Sequence, residues 1–310
     1  MSSRLWTFLC VAFGWAAVVG LLLHLVGADP DSPVGLAVIA VLYMPSPFFA
    51  ALIAERGLVK GRFFVPLDRR LLPFLLLPPA LVVTFAVVYL AAVHVGGDVL
   101  GIGAIGGLAT TTEEFLDGAA ALLGADAAAA AGPLPPPLVL LSVAVASAVT
   151  AGWTLNGVLA MGEEYGWRGL MWDELKPYGA LRANLVTGVA WGLWHAPLIL
   201  QGYNYPQQPV VGVLAMVGFC MAMSPLLHAL RERTSSVVPV AAAHGTFNAL
   251  AITLLLLTPD ADQVLAGPVG ALGAAVLLLV GLTFWWLPAP KAARSGPDDS
   301  RRDDGARSAP

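Results

Sequence analysis

The sequence predicts an all-α fold, a multi-pass transmembrane helical bundle. Of its 310 residues, 58% are hydrophobic and only 12% are charged, whereas soluble domains carry about 25% charged residues. The apolar residues fall in runs of about 20, the length that a helix needs to cross a bilayer. The basic residues gather in alternate connections between these runs. These three observations indicate a protein that is embedded in lipid.

Eight apolar stretches are long enough to span the membrane, so the bundle is expected to have about eight spanning helices. They lie at about residues 5–27, 34–54, 71–95, 137–161, 181–200, 209–230, 236–257 and 266–287. The first follows Arg4 and is not ended by a clear small-residue cleavage site, so we expect a retained span instead of a signal peptide. A polar stretch interrupts the fourth and fifth.

The charges of the connections give an independent test of this count. With the N-terminus in the cytoplasm, the even-numbered connections and the tail should be rich in Lys and Arg. All 16 basic residues lie there or at the N-terminus, and the odd-numbered connections carry acidic residues only. We therefore expect a multi-pass protein of the cell membrane with both termini cytoplasmic.

The chain divides into four parts by composition. Residues 1–136 comprise the first three spans and a long external loop at 96–136, which contains a weakly amphipathic segment near Thr112–Leu123. Residues 137–257 form a helical core that carries all the patterned polar residues, and 258–289 contain the last span. The polar tail at 290–310 is predicted to be disordered and cytoplasmic.

Composition excludes some classes of function. The net charge of -4 and the scattered basic residues give no support to nucleic-acid binding. Cys10 and Cys220 both lie inside apolar runs, so they are interpreted as small packing residues and not as a disulfide or a metal site.

The candidate site begins in the stretch from Ala160 to Leu170. Glu163 and Glu164 are adjacent carboxylates at the end of an apolar run, where charge is costly and usually functional. Adjacent helical residues point about 100° apart. Glu164 and Arg168, at positions i and i+4, are therefore expected to form a structural ion pair, while Glu163 faces the site. The alternative is that both acids are merely charges at a helix end.

Two histidines in later spans could complete this site. His195 precedes Pro197, which should break the helix, and broken backbone at membrane depth is tolerated where it is buried in protein or lines a cavity. His244 and Asn248 share one helix face and could donate to a developing oxyanion. Each could instead be an interhelical packing contact, but their recurrence beside Glu163 favours chemistry.

This set of side chains suits amide hydrolysis. A carboxylate and an imidazole can hold and deprotonate a water, and a second imidazole with an amide can stabilise the tetrahedral oxyanion. No serine or cysteine lies in a patterned nucleophile context. Since one Glu and two His form a known zinc set, a metal held by Glu163, His195 and His244 is an open alternative. The cofactor is therefore either zinc or none.

Three ordered motifs resemble the CPBP family, the CAAX prenyl endopeptidase type II and bacteriocin-processing (Abi) intramembrane proteases. The resemblance covers about residues 138–256 and rests on Glu163-Glu164-x-x-x-Arg168, Trp191-x-x-x-His195 and His244-x-x-x-Asn248. Trp191 departs from the phenylalanine that is more frequent in the family.

The resemblance implies an intramembrane endopeptidase, described in this family both as a metalloprotease and as a glutamate protease. It implies that Glu163 and His195 activate water, that His244 and Asn248 bind the oxyanion, and that Glu164 and Arg168 support the site. The expected partners are a peptide or protein substrate at the membrane, CAAX-like or bacteriocin-like, and the bilayer itself. The alternatives are a non-enzymatic scaffold or immunity-type binding protein, and a transporter, which the absence of motif residues from the first half disfavours.

Overall fold

A computed structural model describes residues 2–30, 32–124 and 134–288, and the predicted disordered tail at 290–310 lies outside them. Within these ranges the chain forms helices joined by turns, with no strand, so the predicted all-α class is confirmed. The main helices are α1 (Ser3–Leu25), α2 (Pro33–Glu55), α3 (Leu71–Val99), α4 (Thr112–Leu123), α5 (Pro137–Trp153), α6 (Leu155–Tyr178), α7 (Ala180–Trp194), α8 (Ala196–Ile199), α9 (Pro209–Thr234), α10 (Val238–Leu256) and α11 (Ala271–Trp286).

The number of full-length spans is smaller than the eight predicted. By length and apolar composition, α1, α2, α3, α9 and α10 qualify as spans, and α5 with α6 makes a sixth if this bent pair is counted as one. The predicted fifth span, 181–200, is divided between α7 and α8, because Pro197 cannot continue the hydrogen bonding of α7. The predicted eighth, 266–287, is helical over 16 residues only, because turns and bends occupy residues 259–270.

The fourth predicted span, 137–161, is not one straight helix. The chain bends by 53° between α5 and α6, at Thr154, whose φ of -125° and ψ of -114° are not helical. Helix α6 therefore begins a new direction at Leu155 and carries the candidate acidic residues into the interior. It also contains a π-helical stretch at Tyr165–Met171, a feature frequent at functional sites.

Helix α10 packs against this bend with its backbone in close approach. A Cβ atom added to Gly245 would lie 2.6 Å from both the carbonyl carbon of Asn156 and the amide nitrogen of Gly157. The Asn156 side chain donates to the Gly245 carbonyl at 3.4 Å. Small residues allow such contacts between membrane helices. Because His244 adjoins Gly245, this contact sets how closely that histidine can approach α6.

A buried ion-pair network ties the end of α2 to α6. Arg62, 4% exposed, donates to both carboxylate oxygens of Glu55 at 2.6 and 2.7 Å and to Asp173 at 3.0 Å. The guanidinium also lies 5.0 Å from the centre of the Tyr165 ring. The network holds both ends of the π-helical stretch, since Tyr165 begins it and Asp173 follows it.

The predicted surface helix in the 96–136 loop is confirmed as α4. A capping box forms at its N-terminus, where the Thr111 hydroxyl accepts from the Glu114 amide and the Glu114 carboxylate accepts from the Thr111 amide. Backbone amides of Thr110 and Thr111 lower the pKa of Glu114. Phe115 packs with Ala109 and Leu257, so α4 lies over the end of α10.

We expect Gly245→Ala to destabilise the protein by about 1–3 kcal/mol, because the new methyl group meets backbone atoms that cannot move separately. The matched control is Gly218→Ala in α9, where an added Cβ meets nothing within 4 Å and helix propensity should improve. Thermal unfolding in detergent compares the two. Equal melting temperatures would contradict this account of the helix contact.

Candidate functional site

The two adjacent carboxylates of α6 lie in the interior and point to different partners. Glu163 is 3% exposed and Glu164 is fully buried. Glu163 accepts a hydrogen bond from the Trp191 indole nitrogen at 2.8 Å, whereas Glu164 contacts Arg168 and His244. The predicted divergence of the two acids is confirmed, because the turn of a helix separates neighbouring side chains.

Glu164 joins two helices through a single oxygen. Its Oε1 accepts from Arg168 Nη1 at 3.1 Å, which confirms the predicted ion pair, and from His244 Nδ1 at 2.8 Å. The link to His244 was not predicted from the sequence. A carboxylate accepts, so His244 carries its hydrogen on Nδ1, and its Nε2 is the ring atom left for a further partner.

Arg168 is buried and connects α6 to two more helices. Its Nη2 donates to Ser224 of α9 at 3.4 Å, and its guanidinium lies 4.0 Å from the centre of the Trp191 ring in α7. Sequence reasoning missed Ser224, whose signal is a hydroxyl inside an apolar run next to Pro225. Arg168 thus has an anion, a hydroxyl and an aromatic face around it, as a buried guanidinium requires.

His195 lies at the break between α7 and α8, where its side chain is half-buried. Its Nδ1 contacts the Trp191 carbonyl oxygen at 2.8 Å. Because a carbonyl only accepts, Nδ1 carries the hydrogen and Nε2 holds a lone pair. The Trp194 ring packs edge-on against the imidazole at 4.8 Å, so the ring is held with Nε2 as its available base.

Asn248 is placed differently from the other candidates. It follows His244 by one helical turn, but its side chain is exposed and makes no hydrogen bond with the described residues. The structure therefore places Glu163, Arg168, His195 and His244 around Trp191, links Glu164 to them through Arg168 and His244, and leaves Asn248 at the edge. The donor pair of His244 and Asn248 stays a prediction.

The alternative metal set does not form a ligand group. Among the described residues, no three or more His, Cys, Asp or Glu side chains are arranged to hold a metal ion. Glu163, His195 and His244 are therefore not brought together as metal ligands in this structure.

Comparison with known proteins identifies the region that contains this site. Residues 135–250 match the family described as type II CAAX prenyl endopeptidase Rce1-like. The region is thus an Rce1-like domain by similarity. The match includes all the predicted site residues, from Glu163 to Asn248, so the resemblance based on the three motifs is confirmed.

A relative with an assigned name agrees with this identification. The chain is 30% identical over 124 residues to a protein named CAAX prenyl protease 2 from Methanococcus maripaludis. The match covers 37% of this chain and 45% of that protein, so it spans less than half the length of the relative. The similarity is therefore confined to part of each protein.

We expect Glu164→Gln to lower the folded yield and to destabilise the Rce1-like domain by about 3–5 kcal/mol, since it leaves the buried Arg168 without its anion. Glu113→Gln, at an exposed position of α4, is the control. Monodisperse yield in detergent and thermal unfolding measure the effect. Wild-type stability in Glu164→Gln would show that the ion pair does not support the fold.

Proposed function

We propose that this chain is an intramembrane endopeptidase that hydrolyses a peptide bond of a membrane-associated substrate. The observation that carries the proposal is that the two acids have different partners. Glu164 takes the contacts with Arg168 and His244, and Glu163 keeps a neutral donor only. A buried carboxylate that no cation bonds directly is suited to accept a proton from water.

Glu163 and His195 activate the water in this proposal. The lone pair on Nε2 of His195 accepts one water hydrogen, and Glu163 takes the proton as the water oxygen attacks the scissile carbonyl carbon. The carbonyl π bond becomes an oxyanion. Glu163 then returns its proton to the amide nitrogen as the C–N bond breaks, so that one peptide and one water give an acid and an amine.

His244 and Asn248 stabilise the oxyanion in the same scheme. With Nδ1–H bonded to Glu164, His244 can donate from Nε2 as an imidazolium, beside the carboxylate of Glu164. Glu164 is therefore more than an ion-pair partner of Arg168. The exposure of Asn248 suits a side chain that is to reach a bound substrate.

The substrate class follows from the names of the similar proteins. The matching family and the Methanococcus maripaludis relative are both named for CAAX prenyl proteolysis. We propose a peptide held at the bilayer, CAAX-like or bacteriocin-like, with the lipid as its other partner. A scaffold or immunity-type protein on the same fold would keep the bundle but would have no need of a base at Glu163.

We propose that both termini lie in the cytoplasm, with α7–α8 and α11 crossing in addition to the longer spans. The basic connections then all face inward. Reporter fusions after Glu55 and after Gly267 test this orientation. A cytoplasmic reporter should be active at the first site and a periplasmic or external one at the second. The reverse pattern would overturn the topology.

Glu163→Gln should abolish cleavage, a loss of at least about 1,000-fold, without unfolding the protein, because Gln keeps the size and the acceptor for Trp191 but is no base. Peptides and membrane-protein termini are compared between cells that express wild type and Glu163→Gln at equal levels. Processed termini that vanish in the variant identify the substrates. Retained processing refutes Glu163 as the base, and identical peptides with an unchanged deletion phenotype favour the scaffold.

A further inference from the structure

Trp191 contacts four of the candidate site residues. Its indole nitrogen bonds Glu163, its ring face receives the Arg168 guanidinium, and its carbonyl oxygen accepts from His195. The edge-to-face contact with His244 has ring centres 5.4 Å apart and planes at 76°. The indole is 2% exposed, so these contacts lie away from bulk water.

The hydrogen bond to Glu163 fixes one oxygen of that carboxylate. The indole N–H is a donor only, and it holds Oε2 of Glu163 at 2.8 Å. Glu163 accepts no other hydrogen bond from the described residues. Because Oε2 is engaged, Oε1 is the oxygen left for a water molecule, and the rotation of the carboxylate is restricted.

The ring face of the same residue also controls the nearby cation. Arg168 lies 4.0 Å from the ring centre while its Nη1 bonds Glu164 at 3.1 Å. A guanidinium over an aromatic face is attracted to the ring quadrupole. The ring face of Trp191 thus contacts the cation, and its N–H group contacts Glu163. Arg168 is therefore held with Glu164, and Glu163 has a neutral partner.

We propose that Trp191 is a positioning residue, which orients Glu163 to take a proton from the attacking water and keeps Arg168 away from Glu163. The role rests on the proposed peptidase function. Phenylalanine at this position would keep an aromatic face and the backbone acceptor for His195, and would remove the N–H group together with one of the two fused rings. The substitution Trp191→Phe therefore removes the hydrogen bond to Glu163, and an analogue of the same shape separates this loss from the loss of packing.

The kinetic test compares wild type, Trp191→Phe and Trp286→Phe in proteoliposomes with an internally quenched prenylated CAAX peptide, or with a substrate found by peptide comparison. We expect kcat of Trp191→Phe to fall by about 10- to 100-fold, the loss of one hydrogen bond to a charged group, with KM within about twofold. Trp286, 81% exposed, provides the same chemical change away from the site and should have wild-type kinetics.

A second variant separates the loss of the hydrogen bond from a loss of packing or folding. Incorporation of 3-(benzothienyl)alanine at position 191 replaces the N–H group with sulfur and keeps the bicyclic shape. It should lower kcat as Trp191→Phe does and unfold at the wild-type temperature. Wild-type kcat in both variants would refute the positioning role. A parallel loss of kcat and thermal stability in the analogue would assign the residue to packing alone.

The contact itself is measured without any cleavage. The indole ¹⁵N–H signal of Trp191, identified by its loss in Trp191→Phe, should shift in Glu163→Gln and stay unchanged in Glu113→Gln. An unmoved signal in Glu163→Gln would overturn the proposal whatever the activity. If wild type cleaves no peptide at all, the proposed function is refuted, and the positioning role fails with it. If wild type cleaves and Trp191→Phe has the same kcat, the positioning role alone is refuted.

Discussion

The contacts of Glu164 with Arg168 and His244 are the constraint on which the interior of this protein depends. Two charged side chains in a lipid-embedded bundle are stable only when each has a partner. Here one carboxylate oxygen serves the guanidinium of its own helix and the imidazole of another. The interaction therefore fixes the register between α6 and α10, as well as neutralising Arg168.

The packing of α6 against α10 brings Glu164 and His244 close enough to interact. Helix α6 begins after the bend at Thr154, and α10 meets that bend at Gly245, where no side chain separates the backbones. A larger residue there would move His244 away from Glu164. Two adjacent residues of α10 thus have complementary roles. His244 is a partner for Glu164, and Gly245 allows the short distance between the two helices.

Much of the fold could be predicted from the sequence, because composition and hydrophobic length determine which segments enter the bilayer. The ion pair of Glu164 and Arg168 followed from helical spacing, and the break near His195 followed from Pro197. The bend at Thr154 could not be foreseen, since no proline or glycine occupies that position and the bend depends on packing against α10. The length of helix α11 was overestimated because apolar residues in turns have the same hydropathy as apolar residues in a helix.

The sequence predicted which residues belong to the candidate site better than it predicted which of them contact each other. Sequence spacing relates residues of one helix, so the link between Glu164 and His244, 80 residues apart, carried no signal. Trp191 was noticed as an aromatic residue, but its N–H group has a partner only in three dimensions. Asn248 was expected beside His244 from periodicity, which gives its direction on the helix but not what lies opposite.

Because of the π-helical stretch at Tyr165–Met171, removal of a residue from α6 has a different structural effect from replacement of a residue. A π turn accommodates one more residue than an α turn. Removal of one residue between Tyr165 and Met171 would restore regular α-helix and leave the helix beyond the stretch in nearly its present phase. Asp173 would keep its direction toward Arg62, whereas Arg168, inside the stretch, would change its direction relative to Glu164. A one-residue deletion in this stretch is therefore expected to disturb the ion pair of Glu164 and Arg168 more than the helix that follows.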